Sequence, residues 1–374
     1  MKTIKRTVVL KASHSCNLSC VYCYDKRRQA VPSDSKSIEP SNVVKILSEK
    51  LPPSEILFCL HGGEPLLIGH NEFLELVSAI REANVKHKFR LSIQTNATLV
   101  DTGFINIFKD CKDLFEERGI GVSIDGPQFI NDVTRVKASG AGASLDILEG
   151  ISLLQLAGID FGLLCVIGRH NVKYPSDVYQ FLTSLSPGFI RFIPCHDVDD
   201  TGYLTRYSIA PSEFSLFLTS VFRSWLADTK TTIPVDPFVT IIGNIYGHTA
   251  SWCEYESGSK CAGFLLVDHN GGVACCDNWG IEGTRSDSQS VYTMSPEKLV
   301  NLFVDPTSGS RIPQYYSTLL NTCHKCSIWQ ECNGGCLAVR QQFEKNNLHL
   351  AQDYCDAKKA LINYIRKAIK MLGT

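Results

Sequence analysis

Three cysteines in one short run, Cys16-Asn-Leu-Ser-Cys20-Val-Tyr-Cys23, are the residues of this chain best spaced to do chemistry. Three thiolates from one loop can hold three irons of a four-iron, four-sulfur cubane, and the fourth iron stays open for a ligand that is not cysteine. A structural zinc ion asks instead for four closed protein ligands, which His14 could complete. His61-Gly62-Gly63-Glu64-Pro65 offers a glycine pair whose backbone a ligand can approach closely. Two polar segments follow, Ser92 to Asn96 and Ser123 to Pro127, with Asn131, Asp132 and Arg135 just beyond. A second cysteine constellation lies toward the C-terminal end: Cys253, Cys261, Cys276, Cys323, Cys326, Cys332, Cys336 and Cys355.

These groups need a scaffold, and the pattern supplies one. Short β-type runs recur at intervals of roughly 30–35 residues: Val8–Ser13, Ile56–His61, Phe89–Asn96, Ile120–Asp125, Phe161–Ile167 and Phe189–Cys195. Helical patterns alternate with them, one behind a Ser41 N-cap candidate with Val43, Val44, Leu47 and Leu51, another with Ile147, Ile151 and Leu154. Alternation of strand and helix predicts parallel strands joined by right-handed crossovers. Six units are too few for a closed eight-fold barrel, so the expected fold is α/β, a partial (β/α)6 TIM-type barrel with its chemistry at the C-terminal strand ends. Each polar motif falls at such an end.

Beyond the barrel, read as residues 1–200, a helical bridge is expected over 201–252, with a helix from Ser212 to Trp225. A cysteine-rich unit over 253–374 follows. It contains a hairpin, Gly263–His269 and Val273–Trp279 around Asn270-Gly271-Gly272, and ends in an amphipathic helix from about Asp356 to Leu372.

Composition narrows the function. Of 374 residues 44% are apolar, enough for a large core, and the net charge of -1 provides no global field for nucleic acid or an anionic membrane. Met1 to Leu10 lack the apolar core of a secretory signal, and the most apolar window, Gly150 to Gly168, is broken by Gln155 and Asp160. A cytoplasmic protein without a transmembrane segment is expected. Sixteen cysteines in a reducing compartment favour metal ligation over disulfides.

The spacing of Cys16, Cys20 and Cys23 with the aromatic Tyr22 resembles the signature of the radical S-adenosylmethionine (SAM) superfamily. The resemblance implies that the open iron chelates SAM, that Gly62, Gly63 and Glu64 correspond to the GGE motif at its amino group, and that Ser123 and Arg135 serve its carboxylate region and Gln94 its ribose. The later cysteines resemble a SPASM domain, the auxiliary-cluster module of radical SAM enzymes that modify peptides and proteins. That implies three [4Fe-4S] clusters in all, with one auxiliary cluster on Cys253, Cys261, Cys276 and Cys336 and the other on Cys323, Cys326, Cys332 and Cys355. In the sulfatase-maturase branch an aspartate in the place of Asp277 takes a proton from the substrate radical; the alternative is that Asp277 only hydrogen-bonds the hairpin. Cys59 and Cys165, in apolar strands, read as small hydrophobes, and Cys195 as a residue at the rim of strand six.

The implied activity is oxidation or cross-linking of a side chain in a peptide or protein substrate, in the manner of a ribosomal-peptide maturase. An external one-electron donor of flavodoxin or ferredoxin type would feed it, and the chain is expected to act as a monomer. With strand one starting near residue 7, no fused leader-recognition domain is expected. A formylglycine-generating sulfatase maturase is one alternative, although Tyr24-Asp25-Lys26-Arg27 departs from the segment associated with that branch. A radical SAM dehydrogenase or epimerase of a small-molecule precursor is another.

Overall fold

Parallel strands with buried crossovers dominate the computed structural model, which describes residues 4–27, 38–199, 201–230, 232–248, 252–256, 260–279 and 290–372. The six expected strands are β1 (Ile4–Lys11), β2 (Ser54–His61), β3 (Lys88–Thr95), β4 (Phe115–Ser123), β5 (Gly162–Ile167) and β6 (Phe189–Pro194). Each pairs in parallel with the next, from Val8 opposite Phe58 to Leu163 opposite Ile190. Helices Pro40–Lys50, Gly69–Ala83, Thr102–Asp110, Ser144–Leu156 and Pro175–Ser184 make the crossovers. Leu10, Phe58, Leu60, Leu91, Val122, Cys165 and Phe192 are buried in one core with the apolar faces of these helices. This is the partial barrel.

The first crossover helix starts one residue before the expected cap. Pro40 takes the first helical position, where its missing N–H costs nothing, and Glu39 is the N-cap. Ser41 lies within the first turn and donates its N–H to Glu72 Oε1 at 3.1 Å.

The sheet also runs further than the six strands. Val235–Asp236 forms β7, parallel to β6, inside the segment read as a helical bridge. At the other edge β8 (Phe264–Val267) pairs in parallel with β1, Val8 opposite Leu265, and β9 (Val273–Ala274) closes the hairpin antiparallel to it. The order is therefore β7-β6-β5-β4-β3-β2-β1-β8-β9. An uncovered β1 edge would expose unpaired backbone groups, and the apolar β8 covers it.

Helix Pro211–Ala227 follows β6 and carries the C-terminal helix, Leu348–Leu372, which begins eight residues before its expected start at Asp356. Ser215 Oγ donates to Ala357 O at 2.9 Å and Ser212 to Asp353 Oδ2 at 3.0 Å across this contact. Among the described residues no helix is long and apolar enough to cross a membrane.

Candidate active site

The cysteine loop leaves the C-terminal end of β1 and is stitched to its neighbours through its backbone. Ser19 N–H donates to Val136 O at 2.6 Å and Val21 N–H to Thr134 O at 2.9 Å. The carbonyl of Ser15 accepts from Glu64 N–H at 2.9 Å. Gly63 lies so close to this carbonyl that a Cβ would stand 2.0 Å from it, and its φ of +52° is in the left-handed region. Only glycine allows the second motif to dock against the first. Asn96 joins the third, its Nδ2 donating to Asn17 Oδ1 at 2.9 Å and reaching to 3.8 Å from Cys16 Sγ.

All of these ends open on one cavity of about 470 Å³. Cys16, Cys20, Cys23, Tyr22, Gly62, Gly63, Glu64, Gln94, Ser123 and Arg135 line it, as do Cys195, Cys253 and Cys336. Two of the expected SAM-pocket side chains have structural partners of their own. Glu64, 2% exposed, accepts from Thr95 Oγ1 at 2.6 Å, Asn96 N–H at 2.8 Å and Leu66 N–H at 3.0 Å. Burial raises its pKa against these bonds, so its carboxylate locks the ends of β2 and β3 together.

Arg135 forks onto Asp125, Nε to Oδ2 at 3.0 Å and Nη2 to Oδ1 at 3.2 Å. Asp125 also accepts from Tyr22 Oη at 2.5 Å and from Val166 N–H at 3.0 Å. Burial alone would raise the Asp125 pKa, but Arg135 and His170 hold it well below the carboxylate range. The guanidinium also stands over the Tyr22 ring, 5.6 Å from its centre.

At the wall of the cavity sits a charge network that the sequence did not announce. Lys11, 2% exposed, bonds Asp25 Oδ1 at 2.8 Å and Asp277 Oδ1 at 2.7 Å. Tyr24 Oη donates to Asp277 Oδ2 at 2.5 Å, and Asp25 Oδ2 meets His14 Nδ1 at 3.0 Å and Gly63 N–H at 3.2 Å. Burial opposes ionisation of Asp277, yet Lys11 and His61 hold its pKa below the usual value. Tyr24, Asp25, His61 and Asn278 line the cavity, and the Asp277 carboxylate stands one hydrogen bond behind them through Tyr24.

The second constellation gathers Cys253, Cys261, Cys276 and Cys336 in one group and Cys323, Cys326 and Cys355 in another. Cys276 is surrounded by Cys261, Cys336 and Cys253, while Cys275, one residue before, turns into a small core with Ile312, Leu319 and Leu337. Cys323 neighbours Cys355 and Cys326, with Arg340 Nη1 at 3.7 Å from its sulfur. Cys332 lies beside the cations Lys358 and Lys260. Cys59, Cys111 and Cys165 are buried.

Residues 10–182 match the radical SAM superfamily model. Over that span the chain carries a radical SAM domain. It is 26% identical over 372 residues to the cysteine-type anaerobic sulfatase-maturating enzyme of Clostridium perfringens strain 13, covering 96% of this chain and 95% of the relative. The serine-type enzyme of Bacteroides thetaiotaomicron is 24% identical over 343 residues, 86% of this chain and 80% of the relative. Native anSMEcpe with bound AdoMet and Cp18Cys peptide superimposes with a TM-score of 0.81 at 23% identity, covering 98% of each chain, a likeness of fold. Streptococcus suis SuiB bound to S-adenosylmethionine gives a TM-score of 0.62 at 14% identity, over 91% of this chain and 75% of that one.

A radical SAM enzyme uses SAM and a [4Fe-4S] cluster, and the cavity fits them. Burial pushes the Cys20 thiol up to about 11 and the Cys253 thiol up to about 12, so these sulfurs ionise only when a cation shares the site. Tetrahedral zinc, with bonds of about 2.3 Å, would hold its sulfurs about 3.8 Å apart. Among the described residues no three cysteine sulfurs lie within 4.8 Å of one another.

Proposed function

We propose that this enzyme oxidises a cysteine or serine side chain of a peptide or protein substrate, with Cys16, Cys20 and Cys23 holding the SAM-binding cluster. The observation that carries the reading is the Tyr24–Asp277 contact, which joins the residue after Cys23 to the residue after Cys276 at the cavity wall. A likeness along the whole chain to sulfatase-maturating enzymes supports the substrate class. When bound, SAM and the clusters supply a 5′-deoxyadenosyl radical that takes a hydrogen atom from an unactivated carbon, and an exit for one electron.

The chain's own residues do the rest. Asp277, ionised by Lys11, accepts the proton that the substrate gives up, and Tyr24 aims its carboxylate. Gly62 and Gly63 let SAM approach the backbone, Arg135 offers Nη1 to its carboxylate, and Gln94 and Ser123 line the remaining wall. Cys253, Cys261, Cys276 and Cys336 hold one auxiliary cluster, and Cys323, Cys326, Cys332 and Cys355 the other, in a C-terminal unit over 253–374. A flavodoxin- or ferredoxin-type donor feeds a cytoplasmic monomer.

The test is anaerobic reconstitution with SAM, dithionite and a short sulfatase-derived peptide carrying cysteine or serine at the target position. Loss of the mass of two hydrogen atoms, or the aldehyde after hydrolysis, together with 5′-deoxyadenosine is expected. If 5′-deoxyadenosine forms while both peptides stay intact, the sulfatase-type substrate is wrong. The SuiB structure, solved with a precursor peptide, would then direct the search to peptides of that kind.

A further inference from the structure

Apart from the cysteines, one other set of metal-binding side chains comes together among the described residues, where the loop after β1 meets the turn between β8 and β9. His14 Nε2 lies 3.4 Å from Asp268 Oδ1, and His269 Nδ1 lies 3.1 Å from the same oxygen. One ligand atom from each of the three falls within 4.8 Å of the others. We propose that His14, Asp268 and His269 bind one divalent transition-metal ion of the zinc class, clamping the cysteine loop to the hairpin. The proposal rests on these residues alone and is independent of the substrate reading.

The geometry needs no rearrangement. Ligands bound to zinc at about 2.0–2.2 Å stand about 3.4 Å apart in a tetrahedron, which matches the observed spacings. Two imidazoles with one carboxylate suit zinc or a neighbouring first-row ion better than calcium or magnesium, which prefer oxygen throughout. The His14 and His269 rings stand edge to face, centroids 4.1 Å apart and planes inclined by 62°, so neither blocks the other.

The outer partners are in place as well. A metal-bound histidine normally gives its far N–H to a carboxylate, which fixes the ring and the tautomer. Asp25 Oδ2 meets His14 Nδ1 at 3.0 Å, and Asp25 is itself held by Lys11 and Gly63. His14 then turns the Nε2 lone pair toward Asp268. The Asp268 carboxylate is fixed in turn by His269 N–H at 2.9 Å, and Gly271 N–H closes the turn on Asp268 O at 2.7 Å. With side chains 16–21% exposed, water reaches the remaining coordination position.

The holoenzyme, stripped of loosely held metal and then given a slight excess of zinc sulfate, would be desalted and analysed for metals and by zinc K-edge absorption. About one zinc per chain in an all-nitrogen and oxygen shell is expected. His269→Ala and Asp268→Asn should each lower retained zinc by at least about tenfold, the loss seen even for outer partners, with iron content unchanged. Wild-type protein that retains no zinc, zinc with sulfur in its shell, or equal retention by both variants would overturn the proposal. Iron content shows whether each variant has folded.

Discussion

Lys11, the last residue of β1, and Asp277, just past β9, form an ion pair of 2.7 Å that crosses the seam between barrel and hairpin. The same ammonium serves Asp25, so one cation faces two carboxylates at the cavity wall. Desolvation would lower the Lys11 pKa, but Asp277 and Asp25 raise it, and the lysine stays charged. Folding of the β8–β9 hairpin onto β1 thus sets the Asp277 carboxylate one hydrogen bond behind the cavity lining, on Tyr24.

Asp277→Asn keeps the shape of the side chain and removes its ability to accept a proton. SAM cleavage should continue while peptide product falls by about 10²–10⁴-fold, the range for a lost general base. Chromatography of 5′-deoxyadenosine against peptide mass spectrometry separates the two. Unchanged product would remove Asp277 from the reaction.

Lys11→Met should instead expose a pH dependence. Losing an adjacent cation raises a carboxylate pKa by about 1–3 units, and repulsion between Asp25 and Asp277 adds to it. Asp277 accepts a proton only when ionised, so product per SAM cleaved should decline in the variant as pH falls from about 7 to 5. Over that range the wild type stays flat, because Asp277 titrates below the usual carboxylate value. Parallel profiles would show that Lys11 does not set the charge of Asp277.

The barrel was legible because β1 to β6 each alternate or concentrate β-branched residues between helical patterns, and their C-terminal ends fall within a few residues of the expected positions. Pairings set by distant sequence were not. Phe264–Val267 reads as a hairpin strand, yet nothing local says that its other edge joins β1 in parallel. Val235–Asp236 is too short to leave a period. Lys11 looks like an ordinary polar residue at a strand end until Asp25 and Asp277 are brought to it, and Arg135 reads as a free anion binder until Asp125 claims its fork. The neighbouring Cys275 and Cys276 differ in surroundings as the G-x4-C spacing leads one to expect, since Cys276 has Cys253, Cys261 and Cys336 within electrostatic reach while Cys275 is fully buried in a small apolar core with Ile312, Leu319 and Leu337.

Glu64→Gln tests whether the second motif is held by its carboxylate. An amide presents one NH2 where Asn96 N–H, Leu66 N–H and Thr95 Oγ1 all donate, so at least one buried donor loses its acceptor. The expected cost is about 1–3 kcal/mol of stability. SAM affinity should fall with it, because Asn96 also contacts the Cys16 loop. Thermal unfolding by circular dichroism and SAM titration check both. A variant as stable as wild type would mean that Glu64 does not lock the strand ends.

Lys358 on the C-terminal helix is paired with Glu254, the residue after Cys253, deep in the cysteine-rich region. Its ammonium also stands 4.4 Å from the centre of the Tyr255 ring, and Tyr354 Oη donates to Glu254 at 3.0 Å while accepting from Cys336 N–H at 2.8 Å. Burial disfavours both charges, but each partner holds the other ionised, so removing one strands the other. Lys358→Met should destabilise the protein by about 3–5 kcal/mol, and Glu254→Gln together with Lys358→Met should recover part of that loss. The unfolding midpoint and the iron retained after desalting would report it. If the single and double variants are equally unstable, the pair is not what anchors the C-terminal helix beside Cys253 and Cys336.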